Sequence, residues 1–143
     1  MGVTVAVTRV ACNTSTGDQT ITTTDLGGLT PKAAMFIITQ AVTDGAAANH
    51  AVWGLGFTDG TTSFCSASED EHGLSTTDTQ KGGAAVPVVI MDGAATNTVD
   101  GQADFSAWVT NGSTITWTNA PSTGFLLTVV YFAGTDLTVD VGW

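Results

Sequence analysis

Basic residues are nearly missing: Arg9, Lys32 and Lys81 stand against thirteen acids, and the net charge is −10. Nucleic-acid affinity comes largely from Lys and Arg releasing counterions from phosphates, so a genome-binding role is not expected. Anionic membranes are disfavoured for the same reason. Charge of either sign is scarce, at 11% of residues against about 25% in an ordinary domain. The polar surface must therefore come from Thr, Ser, Asn and Gly, which lose little on desolvation and suit protein contacts. Cysteine is limited to Cys12 and Cys65, far apart and without metal-like spacing. They read as two buried thiols, with a disulfide as the alternative.

Long apolar runs are missing as well. No stretch of about 20 uninterrupted apolar residues could span a membrane. The opening MGVTVAVTRVAC has no basic n-region, and Ala6 stands where a myristoylation signal wants Ser or Thr. The expectation is that the opening segment is neither a secretion signal nor a lipid anchor site, and that a protein leaving its cell would do so by lysis or after earlier processing. No GxSxG elbow, HExxH helix, phosphate-binding glycine loop or CxxC occurs, and His50 and His72 are the only side chains titrating near neutrality. No enzyme activity and no cofactor are expected.

What is present reads as strands. The 143 residues, 43% apolar, fit one domain over 1–143 with a core of its own. Val3, Val5 and Val7 alternate with Thr4, Ala6 and Thr8, the period-2 pattern of a strand with one wet face. Thr-rich residues 19–24 form a second strand. The nearly continuous apolar run 32–42 predicts a strand buried on both faces. Residues 50–57 and 61–67 read as a hairpin across Asp59-Gly60, and 103–110 and 113–118 as another across Asn111-Gly112. Ile115 and Trp117 share one face of the latter, with Thr114, Thr116 and Thr118 on the other. Pro87 demotes 84–91 to an edge or bulged strand. Residues 124–133, the most hydrophobic segment, should be central, and Leu137, Val139 and Val141 alternate in a closing strand. Eight to ten short strands without a helical period argue for an all-β sandwich or closed barrel. Three strongly apolar strands that need cover on both faces favour a two-sheet antiparallel β-sandwich of jelly-roll type.

Residues 68–83 read as a long exposed loop with one short edge strand. Within it, Glu69, Asp70, Glu71 and His72 form a solvated acidic cluster suited to a basic partner; their spacing is not that of an EF-hand. Turn formation accounts for the Asp-Gly pairs at Asp44, Asp59, Asp92 and Asp100, so no metal site is expected. Trp53, Trp108 and Trp117 sit in apolar strands and read as core. Trp143, after the strand-like 137–142, is expected to dock on its own domain or on a neighbour. The candidate interaction residues are thus Trp143, Val3, Val5, Glu69, Asp70 and Glu71.

Several segments together carry a resemblance: NTSTGDQTIT (13–22), LTPKAAMFI (29–37), TDGAAANHAVWGLGFTDGT (43–61), ITWTNAP (115–121) and GTDLTVDVG (134–142). They resemble a group of β-rich domains encoded by tailed bacteriophages and prophages. In that group a PKAVLF-like strand precedes a DGTAADA…GFATG-like hairpin, and the domain closes in a GGTDLTN…VGSF-like strand. Here Trp143 replaces the group's usual closing aromatic. The resemblance implies a non-enzymatic virion structural protein, a capsid decoration (cement) protein or a fibre or appendage subunit, assembled in the bacterial cytoplasm. Its partners would be copies of itself, trimers among them, and other virion proteins such as the major capsid protein. The alternative is a carbohydrate-binding module for receptor recognition, which would need exposed Trp or Tyr beside Asp or Asn.

Overall fold

A computed structural model describes residues 2–45, 47, 50–73, 75, 77–82, 86–93 and 98–142, with the backbone alone for 77–82. Ten strands occur among them: β1 (Thr4–Ala11), β2 (Gly17–Thr22), β3 (Ala33–Thr39), β4 (Ala51–Thr58), β5 (Ser63–Asp70), β6 (Thr77–Gly82), β7 (Val88–Met91), β8 (Val99–Val109), β9 (Gly112–Asn119) and β10 (Leu126–Ala133). One short 3-10 turn, Thr24–Leu26, lies against β1. The strands form two antiparallel sheets, β1-β10-β3-β4-β5-β6 and β2-β9-β8-β7. The chain is an all-β two-sheet sandwich. Within it β10 inserts between β1 and β3 while β9 pairs β2; β3 to β6 and β7 to β9 run as meanders.

The core lies between the sheets. Ala34, Phe36, Ile38, Leu127, Val129 and Tyr131 face Ile21, Ile115, Trp117 and Val88–Met91, all buried. A polar bolt crosses it. The Tyr131 hydroxyl on β10 lies 2.9 Å from Ser113 Oγ on β9 and donates to the carbonyl of Ile21 on β2, also at 2.9 Å. Burial raises the Tyr131 phenol above its ordinary value, so it stays a neutral donor.

Two glycines set how closely elements approach. On β4, a Cβ at Gly56 would stand 1.6 Å from the Pro87 carbonyl oxygen, so only glycine lets the segment leading into β7 lie against the six-stranded sheet. In the Asn111-Gly112 hairpin the turn residues are Thr110 and Asn111, with Asn111 at φ 67°. Gly112 already belongs to β9, and a Cβ there would meet the Ile21 carbonyl oxygen at 1.9 Å. The dipeptide marks the turn, but its glycine serves packing.

Several expectations hold. Both hairpins form, and Ile115 and Trp117 point inward opposite the threonines. β7 is an edge strand with a bulge between Ile90 and Met91, and β10 has neighbours on both sides. Others need correction. Residues 68–70 are not loop: β5 runs to Asp70, and Glu69 points inward at 2% exposure. Trp53 is not core but 50% exposed. Leu137, Val139 and Val141 keep their alternation of burial but join no strand, because 135–141 passes over the outer face of the six-stranded sheet instead of along an edge. Lys32 Nζ donates to the carbonyls of Thr135 and Leu137, at 3.1 and 2.7 Å. The Val141 N–H donates to Asp59 at 3.0 Å.

Candidate interaction surface

In a sandwich each sheet turns only one face inward, so a strand apolar at both parities must show apolar side chains outside. In β3, Ala34, Phe36 and Ile38 are buried, leaving Met35 and Ile37 outward and half-buried. In β10, Leu127, Val129 and Tyr131 are buried, leaving Val130 and Phe132 outward. β1 reverses the usual arrangement: Ala6 faces the core, while Val3, Val5 and Val7 are 57%, 53% and 57% exposed.

The register aligns these outward residues. Val7 lies opposite Val130, Val130 opposite Met35, Met35 opposite Phe57, and Phe57 opposite Phe64. The last two rings have centroids 5.7 Å apart. An uncharged apolar row therefore crosses five strands. A second row, Val5–Phe132–Ala33, runs beside it. Its far end is roofed by Leu137, Val139 and Val141, which enclose a cavity of about 280 Å³ with Ala33, Phe57 and Phe132. On the other side the next row begins with Arg9 and Thr128 and continues through Ile37 and Leu55. Arg9 is paired with Asp44 at the surface. Trp53 stands beyond it, flanked by Thr39 and Ser68.

The remaining candidates separate. Val3 and Val5 belong to this surface; Trp143 lies outside the described residues. Of the acidic cluster, Asp70 is exposed, Glu71 is half-buried, and Glu69 turns inward, where its carboxylate accepts the N–H of Gly93. The three do not act as one solvated patch. The His72 N–H donates to His50 Nδ1 at 3.4 Å. No group of three or more His, Cys, Asp or Glu that could hold a metal ion occurs among the described residues.

Two groups have displaced acidities. Burial pushes the Cys12 thiol up to about 12, so it carries no thiolate at neutral pH, and Cys12 and Cys65 are both buried thiols outside any disulfide. For Asp59, desolvation works to raise the carboxyl, but the N–H groups of Thr62, Val141 and Thr61 outweigh it and hold the group below its ordinary value. Asp59 Oδ1 accepts Thr61 N–H and Thr62 N–H at 2.7 Å each, closing the β4–β5 turn, while Oδ2 secures the segment after β10.

Val7, Met35, Phe57, Phe64 and Val130 do not stand out in the sequence as surface residues. The available signal was the apolar character of 32–42 and 124–133 at both parities; strand order decides whether the second parity meets solvent. Compared with known proteins, the chain matches no family model, no curated protein and no solved structure.

Proposed function

We propose that this chain is a non-enzymatic structural subunit that works by assembling with copies of itself and with other virion proteins, as a capsid decoration protein or a fibre or appendage subunit of a tailed phage. The observation that carries the assembly role is the uncharged row Val7–Val130–Met35–Phe57–Phe64 on the outside of a chain of net charge −10. Contiguous apolar surface of this kind marks interaction sites, and covering it removes water from Val, Met and Phe side chains without stranding a charge. The virion setting rests on the resemblance of 13–22, 29–37, 43–61, 115–121 and 134–142 to phage-encoded domains. Sedimentation of the purified protein with and without expanded phage capsids tests both parts. Self-association that deepens with concentration, or co-sedimentation with capsids, is the expected result. A monomer at millimolar concentration that ignores capsids would overturn it.

A second reading, a glycan-binding module, is favoured by one observation: Trp53 is half exposed, with Ser68 opposite it on β5 and Asp70 two residues further along that strand. An indole face stacks on a sugar ring while the neighbouring hydroxyl and carboxylate fix its hydroxyls. Binding on a glycan array that disappears in Trp53→Ala would support this reading; an array without hits would remove it.

A further inference from the structure

We infer that β1 pairs antiparallel with β1 of a second copy, around a twofold axis at Val5, so that two six-stranded sheets join into one. This rests on the assembly reading above and specifies its interface.

The first observation is which backbone groups face the open edge. The Cys12 N–H donates to the carbonyl of Phe125 at 2.9 Å, and these residues lie opposite each other in the continuation of the β1–β10 register. In an antiparallel ladder this fixes the parity: residues 4, 6, 8, 10 and 12 exchange hydrogen bonds with β10, and residues 5, 7, 9 and 11 turn their N–H and C=O groups the other way. The Leu126 N–H, donating towards the β3 side to Ala41 at 2.7 Å, agrees with that parity. The Ala11 carbonyl, turned away from β10, is taken up by Gln19 Nε2 at 2.7 Å. The backbone of Val5 and Val7 has no such cover among the described residues, and β1 ends its sheet. The residues that expose valine side chains are thus the same ones that expose unpaired backbone groups.

The second observation is how the four sheet edges differ. Edge strands are normally protected by shortness, charge, proline or a bulge. β7 has four residues, follows Pro87 and carries a bulge. β2 contains Asp18, and the sequence of β6 contains Asp78 and Lys81. β1 is eight residues long, without acid or proline, and its one charge, Arg9, lies near its end. The least protected edge belongs to the strand with the most exposed valines.

The third observation favours a second copy as the occupant. Residues directly opposite in an antiparallel pair share a face, so a twofold at Val5 places Val5 against its own equivalent and Val3 against Val7 of the other chain. Three such pairs exchange about six hydrogen bonds, and β-branched cross-strand pairs suit this geometry. The thirteen acids of each chain oppose association generally, and β1 is a surface on which two copies can meet without opposing acids. The contact also carries the apolar rows of one chain into those of the next. A twofold contact makes dimers or even-numbered assemblies, so it cannot by itself close a trimer.

Cysteine cross-linking tests the register in the full chain. At a hydrogen-bonded antiparallel pair the Cα atoms lie about 5.5 Å apart, within disulfide reach. Mild oxidation should link Val5→Cys into a dimer at least tenfold faster than Thr22→Cys, an exposed control on the other sheet, and a mixture of V3C and V7C should give the mixed dimer. The wild type, whose thiols are buried, should not cross-link, and V5K should sediment as a smaller species than wild type. If the wild type associates but V5C links no faster than T22C and V5K associates normally, the β1 pairing is wrong and the assembly reading stands. If the wild type stays monomeric at every concentration, the β1 pairing falls, and the assembly reading falls with it when the protein also ignores capsids.

Discussion

On the outside of the four-stranded sheet, the hydroxyls of Thr20 and Thr114 meet at 2.9 Å, Thr116 donates to Asp18, and Asp104 lies on the strand beside it. On the outside of the six-stranded sheet, the corresponding middle positions are Val7, Val130, Met35, Phe57 and Phe64. Both faces use β-formers, since Thr and Val share the branched Cβ that suits a pleated surface. They differ in what solvent does to them. Threonine ladders satisfy their hydroxyls with each other and with water, whereas an apolar row leaves each side chain partly hydrated until something covers it. Strand formation alone therefore does not account for the valines: threonine would have served there, as it does on the opposite sheet. On the proposed assembly reading, the difference gives the wet role to one face and the contact role to the other.

Both faces depend on the two sheets staying together. The largest effect is expected from Gly56→Ala, which drives a methyl into the Pro87 carbonyl. Overpacking against backbone should cost about 3 kcal/mol, the upper end of what such changes cost, read as a lowered midpoint in urea denaturation, and should disturb both faces together. Tyr131→Phe comes next. It leaves Ser113 and the Ile21 carbonyl buried without their shared partner, a loss of about 1–3 kcal/mol measurable by the same titration.

Substitution on the faces themselves separates stability from assembly. Val7→Lys and Thr20→Lys both fall on exposed positions, so each should change stability by no more than about 0.5 kcal/mol. Self-association should respond to the first and not to the second. Raising salt should strengthen association of the wild type, because it screens repulsion between two chains of charge −10; weakening with salt would indicate a contact made by opposite charges.

The smallest effect concerns the segment roofing the apolar face. The Asp59 carboxyl is held below its ordinary value of 3.8 in the folded chain. Its contribution is therefore present above that value and lost as the pH falls through the lower, folded one. The protection factor of the Val141 amide, its exchange rate relative to an unstructured chain at the same pH, should fall over that acid range before the core opens. Val141 protection that persists until global unfolding would show that the segment is held by its apolar contacts alone.

Much of the fold was legible because its signals are local. Asn111-Gly112 and Asp59-Gly60 mark turns by backbone chemistry, Pro87 marks an edge by its missing donor, and Ile115 and Trp117 alternate with threonines. The surface was less legible because it depends on pairing order. Trp53 looks like core in HAVWGLGF, yet it falls on the outward parity of β4. The acids of SEDEHG look like loop, yet β5 continues to Asp70 and turns Glu69 inward, where a backbone N–H meets it. The alternation of Leu137, Val139 and Val141 reports one half-buried side correctly, but a ladder also needs an adjacent strand edge, and this segment lies across a sheet face instead. Val3 and Val5 were recognisable as an alternating pair; that Ala6 would take the core side and leave the valines outside follows from packing against the rest of the sandwich.

The contrast between the two faces is tested most directly by sedimentation equilibrium of wild type, Val7→Lys and Thr20→Lys across a range of concentrations in one buffer. The expected result is a wild type and a Thr20→Lys variant that associate alike, with Val7→Lys shifted to monomer while still folded. Association lost equally in both variants, or retained in Val7→Lys, would contradict the assignment of the contact role to the six-stranded sheet.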